Sequence, residues 1–223
     1  MVEYYPKEFF GYTVHVQTIL MSWLTMALVI FVMWLATRKV KFIPSGAQNV
    51  VESLIDLLNG LMQSSMGDRG RKYMAPFIIT LFMYIFIGNE VGLLPQVFPH
   101  FHFTSPTNDV NTTIGLAAMV VFSVQIVGMM QHGPKYLMHF CSPHPLFLPL
   151  NLIDESAKIV TMGFRLFGNI LAGEILLIIL YLLSPWLVPD LWILFSLAVG
   201  FLQAFIFSLL TMSHFAAAFR EHH

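Results

Sequence analysis

Residues 191–219 hold no charged side chain. A run of that length exceeds the ~20 residues an upright membrane span needs, and nothing else in the chain narrows the choice of fold so far. Uncharged runs also fill 17–37 and 112–131, and a further apolar stretch, 73–98, carries only Glu90. Of the 223 residues 57% are hydrophobic and 10% are charged, whereas about a quarter are charged in an ordinary soluble domain. These runs predict an all-α integral membrane protein, a single membrane domain over residues 1–223. A net charge of -1 gives nucleic acid no basic surface to bind. Cys141 is the one cysteine, so neither an intramolecular disulfide nor a multi-thiolate metal site is expected.

The order of segments predicts five transmembrane helices and one amphipathic interfacial helix. Residues 1–16 form an external N-terminus. Their first eight residues are acidic and aromatic and lack the basic start of a secretory signal, so the first helix is expected to insert the chain. The first span, 17–37, has Trp23 and Trp34 near its ends and is stopped by Arg38, Lys39 and Lys41. Residues 45–67 gather Val50, Val51, Leu54, Leu57, Leu58 and Leu61 on one side, with Glu52, Asp56, Asn59 and Gln63 elsewhere. That pattern suits a helix lying at the interface rather than crossing it. Residues 68–72 read as a basic turn, and 73–98 as the second span, interrupted near its far end by 88–95. Glu90 in that interruption has two open readings: it lines an outer water path, or it caps and anchors the loop.

Residues 99–109 are an external loop, and Asp109 N-caps the third span, 112–131, whose one strongly polar interior residue is Gln125. A cytoplasmic connection, 132–149, leads to the last two spans, 150–183 and 191–219, joined by a tip at 184–190. Both are long enough to form a tilted hairpin. Ser196, Gln203 and His214 fall within ~40° of one another on the last helix, a thin polar seam on an apolar rod.

The chemistry concentrates in 161–174. An ionisable group at mid-membrane costs roughly 2.5–3.5 kcal/mol, so it persists only with a partner or a wet path. At about 100° and 1.5 Å per residue, Asn169 lies ~40° from Arg165, while Glu174 lies roughly 180° away and about 13 Å further along. Gly168 and Ala172 share the side of Arg165, and Asp154, Lys158 and Thr161 return to within ~40° of it. A structural salt bridge with packing glycines is the plain reading of such a helix. The opposed placement of Arg165 and Glu174 argues against their pairing with each other. Haem ligation is not expected, because seven of the nine histidines map to loops or the terminus and His15 and His214 lie near helix ends. Asp154 and Glu155 diverge by ~100° and suit a solvated first turn better than a metal pair. No catalytic or phosphate-binding pattern is present.

The string Arg165-Leu-Phe-Gly-Asn169-Ile-Leu-Ala-Gly-Glu174 resembles the signature of subunit a of the F-type rotary ATP synthases. The element around Asn89 and Pro95, and the Asp109-x-Asn111-x-Thr113 entry to the third span, resemble the same family. That resemblance implies a stator ion-channel subunit with no catalysis and no cofactor or metal of its own. It would provide two half-channels that pass protons or sodium ions to and from the carboxylates of a rotating c-ring during ATP synthesis. Its partners would be that ring, the peripheral-stalk subunit b, the rest of the complex and the lipid bilayer. Arg165 would separate the half-channels, and a guanidinium suits that task because it stays cationic. Asn169 would orient it or a water, Gln203 would pack near it, and Glu174 would relay ions in the outer half-channel. Asp154 and Glu155 would mark the cytoplasmic mouth. Several members of the family have an ionisable residue seven positions before the equivalent of Gln203, where this chain has Ser196. The competing reading is a self-contained ion channel or secondary transporter, although no internal repeat supports one.

Orientation follows from the basic residues. With the N-terminus outside, only Lys7 is external. Arg38, Lys39, Lys41, Arg69, Arg71, Lys72, Lys135 and Arg220 are then internal. The bias predicts N-out and C-in, and the resemblance implies the cell inner (plasma) membrane. An impermeant thiol reagent applied to intact cells is therefore expected to leave Cys141 unmodified until the membrane is permeabilised. Ready labelling in intact cells would invert the topology.

Overall fold

The computed structural model describes residues 6–9, 12–38, 41, 42, 44, 46–93, 104–133, 146, 148–184 and 187–219. The loop residues His100, His102, Lys135 and Cys141, part of the tip at 184–190, and Arg220 lie outside the described residues. Before the first helix, β1 (Pro6–Phe9) and β2 (Tyr12–His15) pair antiparallel in a register running from Pro6 opposite His15 to Phe9 opposite Tyr12. The expected N-terminal segment thus contains a short hairpin. The membrane part is all-helical. Among the described residues five helices are long and apolar enough to cross a bilayer: α1 (Val16–Thr37), α2 (Ala47–Val91), α3 (Val110–His132), α4 (Leu148–Leu183) and α5 (Val188–Phe219). In hydrocarbon the helix is the form in which a span satisfies its own backbone polar groups.

α1 ends where Arg38 lies over the Trp34 ring, 5.3 Å from its centroid, a cation–π contact of the kind found where a span meets water. Gln48 then ties the following segment to α2. It accepts from Lys41 N at 3.1 Å and donates to Lys41 O at 3.1 Å. α2 is two helices joined across Gly67, whose φ of 71° and ψ of 179° lie where a side chain is strongly disfavoured. The basic stretch 68–72, expected as a turn, is already helical, so the change of direction is confined to one residue. The second arm stops at Val91, short of the expected 98.

α2 packs on α1 along one side and on α5 along the other, and α3 packs on α4. The α2–α5 seam is aromatic. Phe201 sets its ring edge-to-face against Phe82 (5.7 Å, 77°) and Phe86 (5.7 Å, 88°), and Phe77 meets Phe215 the same way (5.7 Å, 79°). Such pairs add about 0.5–1.5 kcal/mol each to the area they bury. α4 and α5 form the expected hairpin, and α4 lies at the edge of the bundle.

The strain at Gly67 makes a prediction that its neighbour Gly60 controls. Gly67→Ala is expected to cost about 1–3 kcal/mol. Gly60→Ala, in open space within a helix, should be neutral or stabilising by up to about 1 kcal/mol. Thermal unfolding in detergent separates the two. An unchanged midpoint for Gly67→Ala would mean the break is not fixed by that residue.

Candidate functional site

The rotation of α4 is set by a close approach to α3. A Cβ added at Gly163 would lie 3.0 Å from Ile114 Cγ1 and 3.1 Å from Ile114 Cα, so only a glycine lets the two helices touch there. Met162, Gly163 and Leu166 are the buried residues of α4. With these turned inward, Thr161, Arg165, Gly168 and Ala172 are exposed along one stripe. Nothing lies within 4 Å of where a Gly168 Cβ would be. Arg165 has no ion-pair or hydrogen-bond partner among the described residues. An unpaired cation on an otherwise small and apolar stripe faces away from its own chain.

Glu174 is placed in the opposite way. It is half-buried, and Asn108 Nδ2 donates to its Oε2 at 2.6 Å. Asn108 closes a short 3-10 turn, Pro106–Asn108, that buried polar contacts hold in place. Ser105 Oγ donates to Gly88 O at 2.8 Å, and Thr107 Oγ1 donates to Asn89 Oδ1 at 2.8 Å. Asn89 Nδ2 reaches on to Gly200 O of α5 at 3.4 Å. Gly92 is needed for this fit, because a Cβ there would meet Ser105 Cβ at 2.8 Å and Ser105 N at 2.9 Å. From the other side Asp109 caps α3 by accepting from Asn111 N at 2.8 Å. The same carboxylate accepts from Thr18 Oγ1 of α1 at 3.3 Å and lies 2.9 Å from His15 Nδ1.

A cavity of about 160 Å³ opens beside Glu174. Asn169, Ala172 and Glu174 of α4, Trp192, Ser196 and Gly200 of α5, and Asn89 of α2 line it. Trp192 Nε1 donates to Gly173 O at 3.2 Å and joins the two hairpin helices at this level. Towards the other end of α4, Lys158 donates to Glu155 at 2.6 Å and Asp154 is exposed. His132 Nε2 lies 2.9 Å from Ala218 O and joins the ends of α3 and α5. Among the described residues no group of three or more His, Cys, Asp or Glu side chains could hold a metal.

The structure separates residues that the sequence grouped. Asn169 faces the cavity of Glu174, and among the described residues neither it nor Gln203 bonds to Arg165. Gln203 is buried on α5, its Nε2 without a hydrogen-bond partner among the described residues. The sequence reading missed Asn108, together with the Ser105 and Thr107 pair that seats it. The one available signal was its position immediately before the Asp109 cap.

A family model described as ATP synthase A chain matches residues 19–216. The chain is similar to the ATP synthase subunit a of Acidothermus cellulolyticus, at 39% identity over 95% of this chain and 79% of that one. It is 38% identical to the subunit a of Moorella thermoacetica over 89% of this chain and 88% of that one. With the subunit a of Desulforamulus reducens it shares 38% identity over 96% of this chain and 84% of the relative.

The Asn108 bond can be tested without any transport assay. Asn108→Leu is expected to lower the unfolding free energy by about 1–3 kcal/mol, the range for leaving a buried polar group without its hydrogen bond. It should also move the Glu174 carboxyl band in infrared spectra, the band being assigned by its loss in Glu174→Gln. A band that stays in place would mean that Asn108 does not set the environment of Glu174.

Proposed function

The chain belongs to the ATP synthase A chain family, and on that footing we propose that Arg165 and Glu174 do separate jobs in moving ions past a rotating partner. The protein is the stator ion-channel subunit of an F-type ATP synthase and crosses its membrane several times. The observation that carries the finer reading is the exposure of Arg165, unpaired, on the face of α4 opposite Glu174. A cation in hydrocarbon calls for an anion, and this one looks outward. The c-ring supplies it: each ring subunit brings a membrane carboxylate past α4, and Gly168 and Ala172 let the ring helix come close.

Arg165 then acts as an electrostatic barrier. A ring carboxylate that arrives loaded gives up its ion as it pairs with the guanidinium, and reloads from the far side after leaving it. Glu174, with Asn108, Asn169 and Ser196 around its cavity, relays ions between the ring and the outside. Asp154 and Glu155 line the mouth of the inner half-channel, and Gln203 lies on the α5 seam between the two paths. The carried ion is a proton or a sodium ion. Subunit b of the peripheral stalk holds the chain still against the torque of the ring. The membrane is the bacterial plasma membrane, with the N-terminus outside and the C-terminus in the cytoplasm. A self-contained channel or transporter would turn its essential cation inward, and Arg165 points the other way.

The two roles fail differently. Arg165→Ala should abolish ATP synthesis and open a passive leak, since ions would equilibrate between the half-channels without rotation. Arg165→Lys should also abolish synthesis, because a compact ammonium lacks the planar five-donor fork. Glu174→Gln should slow flux in both directions without a leak. Ion flux into vesicles with the soluble head removed measures this at ~100 mV, where each charge gains about 2.3 kcal/mol. A leak in the Glu174 variant beside a tight, active Arg165 variant would reverse the assignments. Cysteines at 168 and 172 should cross-link to the ring helix that bears its carboxylate, and cross-links from 174 instead would rotate α4 by half a turn.

A further inference from the structure

Glu90 sits in the last turn of α2, where the carbonyl end of a helix disfavours negative charge. Its side chain does not cap that end: Gly92 closes the helix with a backbone bond to Glu90 O. The carboxylate turns to α5 instead. A Cβ built on Gly200 would lie 2.8 Å from Glu90 Oε1, so the glycine leaves the space that the carboxylate fills. That oxygen is buried and has no hydrogen-bond partner among the described residues. An unanswered carboxylate oxygen in an apolar bundle is costly unless a cation or proton serves it.

Its surroundings on α5 are of one kind. Ser196, Gly200 and Gln203 lie within ~60° on one face, with Ser196 and Gln203 about one turn to either side of the glycine. Ser196 Oγ and Gln203 Nε2 are also buried without partners among the described residues. Ser196 and Gly200 line the cavity of Glu174. Three orphaned polar groups therefore run in file along α5, starting at that cavity and leading further into the bundle. The same α2 turn that places Glu90 is held by Asn89, through Thr107 and Gly200 O.

We infer that Glu90 is a second proton-carrying carboxylate of the outer path, seated on the Ser196–Gln203 seam and made possible by Gly200. It takes a proton arriving on the Ser196 side and releases one on the Gln203 side, so it ends each transfer in the state in which it began. The inference rests on Glu174 being the outer relay.

The test uses the whole complex in membrane vesicles, with proton flux followed after removal of the soluble head and complex content checked by subunit yield. Glu90→Gln is expected to reduce flux by roughly tenfold or more, as loss of a positioned proton carrier does. Glu90→Asp should retain more flux and shift the midpoint of its dependence on outside pH. Flux in Glu90→Gln within twofold of the parent would overturn the inference. So would equal losses in both variants with an unmoved midpoint, which is the behaviour of a packing residue. Glu174→Gln measured in parallel separates the two readings. If it is slowed while Glu90→Gln is not, only the role of Glu90 falls; if neither is slowed, both fall; and a parent that carries no proton flux overturns the inference about Glu90 alone.

Discussion

A guanidinium in hydrocarbon needs a partner or a wet path, and among the described residues Arg165 has no ion-pair partner. Everything distinctive about the architecture follows from keeping that cation outward and unpaired. The close approach at Gly163 and Ile114 fixes the rotation of α4. Small residues at 168 and 172 keep its outer stripe shallow. The one carboxylate near mid-helix, Glu174, is turned away and engaged by Asn108. Had the two charges shared a face, they would neutralise each other and leave no charge on the outward stripe. The separation is imposed by nine residues of helix and needs no further device.

The end of the bundle that holds Glu174 is built differently. There the polar groups are buried and mostly joined, from Gly88 and Asn89 through Ser105 and Thr107 to Gly200. A network of this kind fixes positions because each group left unsatisfied is costly in a low-dielectric setting. It holds Asn108 against Glu174 and leaves Glu90, Ser196 and Gln203 among the groups with capacity to spare. The ordered and unserved polar groups stand side by side, which is the arrangement a guided path through a membrane requires.

The helices were readable because charge is almost absent from the spans and bilayer thickness dictates their length. The opposition of Arg165 and Glu174 was readable because helical periodicity converts spacing into direction. What escaped was whatever depends on contacts between segments. Asn108 lies in a loop with no periodicity, and its partner is far along the chain. Asn169 lies at a ~40° offset from Arg165, and a residue at that angle can serve either neighbouring face; that it lines the Glu174 cavity depends on where α5 stands. Gly67 was passed over for the basic stretch beside it, since charge composition marks a turn less reliably than the backbone angle only glycine adopts.

The turn at Pro106–Asn108 touches α1, α2, α3 and α4, and its neighbour Asn89 reaches α5. Chain order gives that position a consequence in time. Asn108 and Glu174 are separated by 66 residues, so when α3 has entered the bilayer the carboxylate that the turn will hold has yet to be synthesised. α5, which supplies Gly200, comes later still. The turn is a keystone in the builder's sense, set only when the last stones stand. The cavity beside Glu174 is complete only once α5, which lines it, is in place.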